Sequence, residues 1–328
     1  MDYMNSNLAD LGSYTSNDKF ILELQSRLND ERLTLFARIG RHRLWITGAT
    51  IVFGAGSFLG FNALGLSAFA LPIALMTAVI GALAGLFLTI LPIRKLDRNA
   101  KDELIPHLVA AYASGTYLQN PGRRMREYRG IGILPSGWTD EKNEDEITGC
   151  VDGIEFKMFE TRLTHQEQDT NSQGETTTRT VVDFDGVLCD FKTAKSFDGH
   201  TIITRDFGFL NALQSTFSNL DRVFLEDVVF EKKFAAFSTD QIEARYLLTV
   251  SFMERLLDIE NRFPKGRLQA AFMNDRFVIL IRSRRNLFEV KPVGQLYDLE
   301  SDSKRIKDEL GRFIEIAQHL GIASQTKL

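Results

Sequence analysis

Leu44-Trp-Ile-Thr-Gly-Ala-Thr-Ile-Val-Phe-Gly-Ala-Gly-Ser-Phe-Leu-Gly-Phe61 contains no charged residue, and none follows until Arg94. A helix advances about 1.5 Å per residue and a bilayer core is roughly 30 Å thick, so one crossing takes about 20 residues. The uncharged run from Leu44 to Ile93 is too long for one crossing and fits two. The expected spans are residues 44–61 and 71–91. The stretch Asn62-Ala-Leu-Gly-Leu-Ser-Ala68 between them holds the turn-forming Asn, Gly and Ser.

The flanks set an expected orientation. Arg38, Arg41 and Arg43 precede the first span, and Arg94, Lys95, Arg98 and Lys101 follow the second. Cationic flanks stay on the cytoplasmic side, so both termini are expected there, in a multi-pass inner-membrane protein. Trp45 suits the interface. Each span carries two glycines four residues apart, Gly56 with Gly60 and Gly81 with Gly85. Such pairs permit close backbone approach, either within the hairpin or between copies of the chain. Pro72 and Pro92 fall near the ends of the second span. The spans lack the ionisable groups of a transport pathway, and the apolar run starts too late and lasts too long for a signal peptide.

The chain has 328 residues and a formal net charge of −4. This mild acidity argues against a nucleic-acid binder. Two cysteines, Cys150 and Cys189, are expected as reduced, buried thiols, and with five scattered histidines they show no zinc-ligand spacing. No resident cofactor is expected.

Residues 1–43 read as a loose arm followed by an amphipathic helix, with Phe20, Leu24, Leu28, Phe36 and Ile39 among its apolar positions. Residues 44–93 form the hairpin, and 94–119 a helical connector that Pro106 kinks or restarts. Residues 120–328 form the soluble domain, opening on a Gly- and Pro-rich linker to Asp140. Ile154–Leu163 and residues 178–193 read as strands around a polar loop, His165–Thr177. Thr201–Thr204 and Lys233–Phe237 are further strands. Leu268–Met273 and Arg276–Ile281 read as a pair joined at Asn274-Asp275. Ser238-Thr-Asp-Gln241 and Ser251-Phe-Met-Glu254 look like capping boxes, and Lys304–Leu320 like a helix stopped by Gly321. The expected fold is α+β: a two-helix transmembrane hairpin, then a mainly antiparallel sheet with flanking helices.

The segment Leu225-Glu-Asp-Val-Val-Phe-Glu-Lys-Lys-Phe-Ala-Ala-Phe-Ser-Thr-Asp-Gln-Ile-Glu-Ala-Arg-Tyr-Leu-Leu-Thr249, continued by Ser251-Phe-Met-Glu-Arg-Leu256, resembles a bacterial family, domain of unknown function 3137. Phe184-Asp-Gly-Val-Leu-Cys189 and Phe197-Asp-Gly-His-Thr201 are similar to further segments of it. Val250 stands where that family has proline. The resemblance implies two membrane spans, one soluble domain, and neighbouring membrane proteins of the LemA type as partners. It supplies no catalytic residues. Its motif positions here include Phe230, Phe234, Asp240, Glu243, Arg245 and Tyr246. The polar ones serve either a binding site or a helix cap with cross-turn pairs.

A second local likeness is Val181-Val-Asp-Phe-Asp-Gly-Val-Leu188, which resembles the first motif of haloacid dehalogenase-type phosphatases. That resemblance makes Asp183 the nucleophile and Asp185 the general acid/base, with Mg²⁺ and a later hydroxyl such as Ser283. The alternative is an amphipathic strand with both carboxylates on its wet face. Arg282, Arg284 and Arg285 form a basic cluster, read either as a solvated strand end or as a contact for anionic lipid or a partner. The leading expectation is a membrane-tethered binding or scaffold module, also able to self-associate. The competing one is a membrane-anchored phosphatase.

Overall fold

The computed structural model describes residues 16–325 apart from 66, 152, 171–175, 206–219, 263–266, 284–285, 291, 293 and 295. The expected loose arm therefore lies mostly outside the described residues, as do Arg284 and Arg285. The chain groups into two compact units, residues 1–104 with 289–304, and residues 105–288 with 305–328.

The first unit is built on two long helices, α1 (Ser16–Ala63) and α2 (Ser67–Ala113), of which α2 gives its part up to Leu104. They join through a tight turn in which Gly65 adopts φ 73° and donates its N–H to the Asn62 carbonyl at 3.1 Å. Glycine reaches that left-handed conformation without steric cost. Away from the turn the unit has an apolar core. Ile21, Leu24 and Leu28 of α1 and Leu96, Ala100 and Leu104 of α2 are buried, as helical spacing dictates. Residues 289–304 complete this unit. Asn29 donates to the Tyr297 carbonyl at 3.2 Å and accepts the Tyr297 N–H at 2.6 Å, while Gln25 accepts the Leu299 N–H at 2.6 Å. Arg32 Nη1 donates to Asp97 Oδ1 at 2.8 Å, and the Tyr297 hydroxyl donates to the same oxygen at 2.5 Å.

The second unit is α+β. Its described residues form a seven-stranded sheet ordered β1-β2-β3-β4-β6-β5, with β7 also on β4, and every pairing is antiparallel. The strands are β1 (Thr116–Leu118), β2 (Asp140–Val151), β3 (Ile154–Thr170), β4 (Thr176–Thr204), β5 (Asp221–Val223), β6 (Ala235–Ser238) and β7 (Leu268–Arg282). The helices are α3 (Val228–Lys233), α4 (Gln241–Leu247), α5 (Val250–Arg262) and α6 (Leu299–Gln325), the last beginning in the first unit. One sheet face carries Phe159, Leu163, Phe184 and Leu188, covered by a 3-10 turn at Met125–Ile131. The other carries Phe191, Phe272 and Phe277, and Phe252 of α5 lies 5.3 Å from Phe277 between ring centroids. Each buried phenylalanine contributes roughly 1.5–3 kcal/mol.

Several local expectations are corrected. Residues 120–140 are not a linker: Met125, Tyr128, Ile131 and Ile133 are core, the Met125 N–H binds Glu141, and Asn143 binds the Gly122 carbonyl. α2 continues past Pro106 to Ala113 without a restart, because Ile105, Leu108 and Val109 beside the missing hydrogen bond are fully buried. Asn274-Asp275 does not reverse the chain. Asn274 takes φ 57° within one continuous β7, where the pairing with β4 shifts register, since asparagine tolerates a single left-handed residue. The strand expected over Lys233–Phe237 starts later, at Ala235, because Lys233 ends the helix Val228–Lys233, where Asp227 caps the N–H groups of Val229 and Phe230. The polar loop after Leu163 is largely strand, paired from His165–Val181 to Thr170–Thr176. α6 runs through Gly321.

Candidate functional site

The segment that carries the family resemblance folds as β6, α3, α4 and the start of α5. Phe230 and Phe234 are core residues with ring centroids 5.0 Å apart. Asp240, not Ser238, caps α4, since its carboxylate accepts from the N–H groups of Ile242 at 2.8 Å and Glu243 at 2.9 Å. Ser238 is the last residue of β6 and accepts the Asp240 N–H instead. At α5 the cap is Thr249, whose hydroxyl accepts the Phe252 N–H at 3.3 Å, and not Ser251. Glu243 accepts from Asp198 N–H at 3.1 Å and Gly199 N–H at 2.8 Å, which ties α4 to the bend in β4. A methyl group at Gly199 would stand 2.8 Å from the Asp240 Cβ, so the approach needs glycine. Next to it, the His200 ring is buried and binds the Ile131 carbonyl through Nε2 at 3.0 Å. Asp240 and Glu243 are thus engaged in holding the fold. Arg245 and Tyr246 face solvent, and Arg245 donates to the Gln241 carbonyl of its own helix.

A polar concavity of the second unit lies at the end of the sheet face covered by the 3-10 turn. Its volume is about 520 Å³, and Phe156, Lys157, Asp190, Lys192 and Arg276 are among its lining residues. Asp190 is only 6% exposed. Arg276 grips both its oxygens, through Nε at 3.1 Å and through Nη2, and the Tyr128 hydroxyl donates to Oδ2 at 3.0 Å. The guanidinium also lies over the Tyr128 ring, 5.0 Å from its centroid. Glu127 stands 3.8 Å from both Arg276 and Lys157. Burial, reinforced by the Asp190 charge, pushes the Tyr128 phenol well above its ordinary range, so it stays a donor. Removing one partner from such a buried pair costs about 3–5 kcal/mol. The cavity therefore has a rigid floor and a rim of both charge signs. Sequence reading missed Tyr128, Asp190 and Arg276. The one available signal was a lone Asp in the apolar run Val187-Leu-Cys-Asp-Phe191. Cys189 beside it is buried and its thiol is pushed up by that burial, whereas Cys150 is exposed, contrary to expectation.

Asp183 and Asp185 do not converge. Asp183 lies 2.8 Å from His165 Nδ1, and Asp185 lies 3.9 Å from Arg162 Nε. Asp185, Arg162 and Ser283 line a small cavity of about 150 Å³, and Asp183 is not among its lining residues. The strand that carries both carboxylates is flanked by antiparallel β3 and β7, not by the parallel βαβ units that the phosphatase resemblance implies. Among the described residues no group of three or more His, Cys, Asp or Glu is placed to hold a metal ion.

In the first unit the four glycines divide. A methyl at Gly81 would lie 2.2 Å from Thr50 Oγ1, and one at Gly85 3.8 Å from Ile46, so both face α1. Gly54, which sequence reading passed over, completes the seam against Thr77 at 3.7 Å. Gly56 and Gly60 have nothing within 4 Å and point away from it. Arg38, Arg41, Arg94, Lys95 and Arg98 are exposed, and the side chain of Arg43 lies outside the described residues. Among the described residues one helix, from Leu71 on, is long and apolar enough to cross a membrane.

The pattern of a family described as "Protein of unknown function (DUF3137)" matches residues 182–322, from within β4 to near the end of α6. This supports the domain read from Leu225–Leu256, and it leaves α1 and the apolar part of α2 outside the match. No curated protein matches the chain. A similar solved structure is the crystal structure of the mycobacterial trehalose monomycolate transport factor A, at 7% identity and a TM-score of 0.32, covering 64% of this chain and 96% of that one. A likeness at that level carries no argument about fold or function.

Proposed function

We propose that this chain is a membrane-anchored binding or scaffold module, held by α1 and α2 crossing a bacterial inner membrane with both termini cytoplasmic. The observation that carries the reading is the outward apolar surface of both helices. Trp45 and Phe53 of α1 are 79% and 75% exposed, and Phe87 of α2 is 64% exposed, with Ile51, Leu71 and Leu83 also outward. A contiguous apolar surface of this size is not kept in water, and lipid satisfies it. The exposed cations at the ends of the uncharged run support the orientation. The second unit then supplies the binding surface. The rim of mixed charge around Lys157, Lys192 and Arg276 offers it polar, two-signed contacts. Partners within the same membrane, among them LemA-type proteins, gain effective concentration from the shared plane.

The test has two readouts on the full chain in cells. A cysteine at Leu64, in a Cys150→Ser background, should react with an impermeant thiol reagent added from outside, while one at Glu23 should not. Labelling of both, or of Glu23→Cys alone, would overturn the topology. Affinity purification from gently solubilised membranes should then recover a partner that is lost when the residues after Asn120 are removed. Recovery of nothing specific to those residues would overturn the scaffold role.

A further inference from the structure

β3 pairs with β2 only as far as Thr164, and β4 pairs with β7 only from Gly186 onward. Between those limits, His165–Thr170 of β3 and Thr176–Val181 of β4 pair, among the described residues, only with each other. Six residues at about 3.4 Å each make a ribbon projecting about 20 Å. Residues 166–170 and 176–180 are all exposed. A two-stranded ribbon alone in water is marginal at best.

Its two outer edges differ. Proteins blunt free edges with charge, proline or bulges, because the open N–H and C=O groups are a template for another strand. The β3 edge has such protection in Glu167 and Asp169. The β4 edge reads Thr176-Thr-Thr-Arg-Thr-Val-Val182, with no proline, glycine or carboxylate. Its single charge, Arg179, is neutralised within the ribbon by Glu167 at 2.6 Å. One face of the ribbon, by alternation, presents Thr176, Thr178 and Thr180 beside Gln166, Gln168 and Thr170, all uncharged and all able both to donate and to accept.

We propose that the β4 edge from Thr176 to Thr180 pairs with the same edge of a second copy of this chain. A two-fold axis at Thr178 sets Thr178 against Thr178, Thr176 against Thr180 and Thr177 against Arg179. Threonine pairs across strands are favourable, whereas an axis at Arg179 would set like charges face to face, so charge selects the register. The contact uses one surface twice and closes at a dimer. It does not depend on the membrane reading, and its failure would leave that reading standing.

The full chain, purified in detergent, tests it. Light scattering should give a protein mass of two copies. Thr178→Cys in a Cys150→Ser background should form a covalent dimer on mild oxidation, well above the baseline set by exposed Cys150 in the unaltered chain. Thr178→Lys, which places like charges across the axis, should lower the dimer fraction about tenfold with an unchanged circular dichroism spectrum. A monomer by light scattering overturns the proposal, including the case in which a strand of another protein takes this edge. So does a dimer that Thr178→Lys leaves intact, or a cross-linking yield at the Cys150 baseline. Should Thr178→Cys not fold, the scattering of the unaltered chain and of Thr178→Lys decides.

Discussion

His200 shows how one side chain makes the fold sensitive to acid. Burial lowers its pKa, against a smaller opposite effect of its bond to the Ile131 carbonyl. The unfolded chain therefore takes up a proton first as pH falls. Stability is full above the ordinary histidine range near 6.5 and is lost as pH falls through the lowered folded value. Urea midpoints should drop between pH 7.5 and 5.5, and His200→Gln should flatten that slope; an unchanged slope would remove His200 as its source. Residue roles were the least legible layer of the sequence. Asp240 and Glu243 stood out as polar motif residues, but nothing local shows that Glu243 spends its carboxylate on the N–H groups of Asp198 and Gly199, more than 40 positions earlier. The buried grip of Arg276 on Asp190 is equally non-local.

Elements were more legible where a single period dominates. The uncharged run, the turn near Gly65 and the strand alternation of Ile154–Leu163 follow directly from local pattern. Asn274 misled because the residue type that closes a hairpin also serves a bulge, and only the neighbouring strand decides between them. The α1–α2 seam is likewise readable in composition but not in direction, since Gly54, Gly81 and Gly85 face inward while Gly56 and Gly60 do not. Gly81→Val should therefore push the helices apart against Thr50 and lower the thermal midpoint in detergent, whereas Gly56→Val should leave it unchanged. Thr50→Ala should restore part of the loss. Equal effects at both glycines would refute the seam.

For the whole molecule, α+β architecture follows from hairpin-length spacing between strands, but the path of the C-terminal segment does not. Residues 289–304 belong with the first unit, held by Gln25 and Asn29, and residue 305 onward belongs with the second. A chain ended at Phe288 should therefore lose protease resistance in both units rather than shed a tail. Cleavage patterns of the two chains would show this, and an unchanged pattern for residues 16–104 would argue otherwise. Such pairings between distant segments leave no trace in local periodicity, because only closure of the core selects them.

The brevity of the turn between α1 and α2 has a consequence for signalling. Only Leu64, Gly65 and residue 66 separate the two helices. In the proposed two-crossing arrangement this turn offers no folded surface to a ligand, and no lever for one to pull. A signal that acts through this hairpin must then enter at the helix ends opposite the turn, or from the lipid itself.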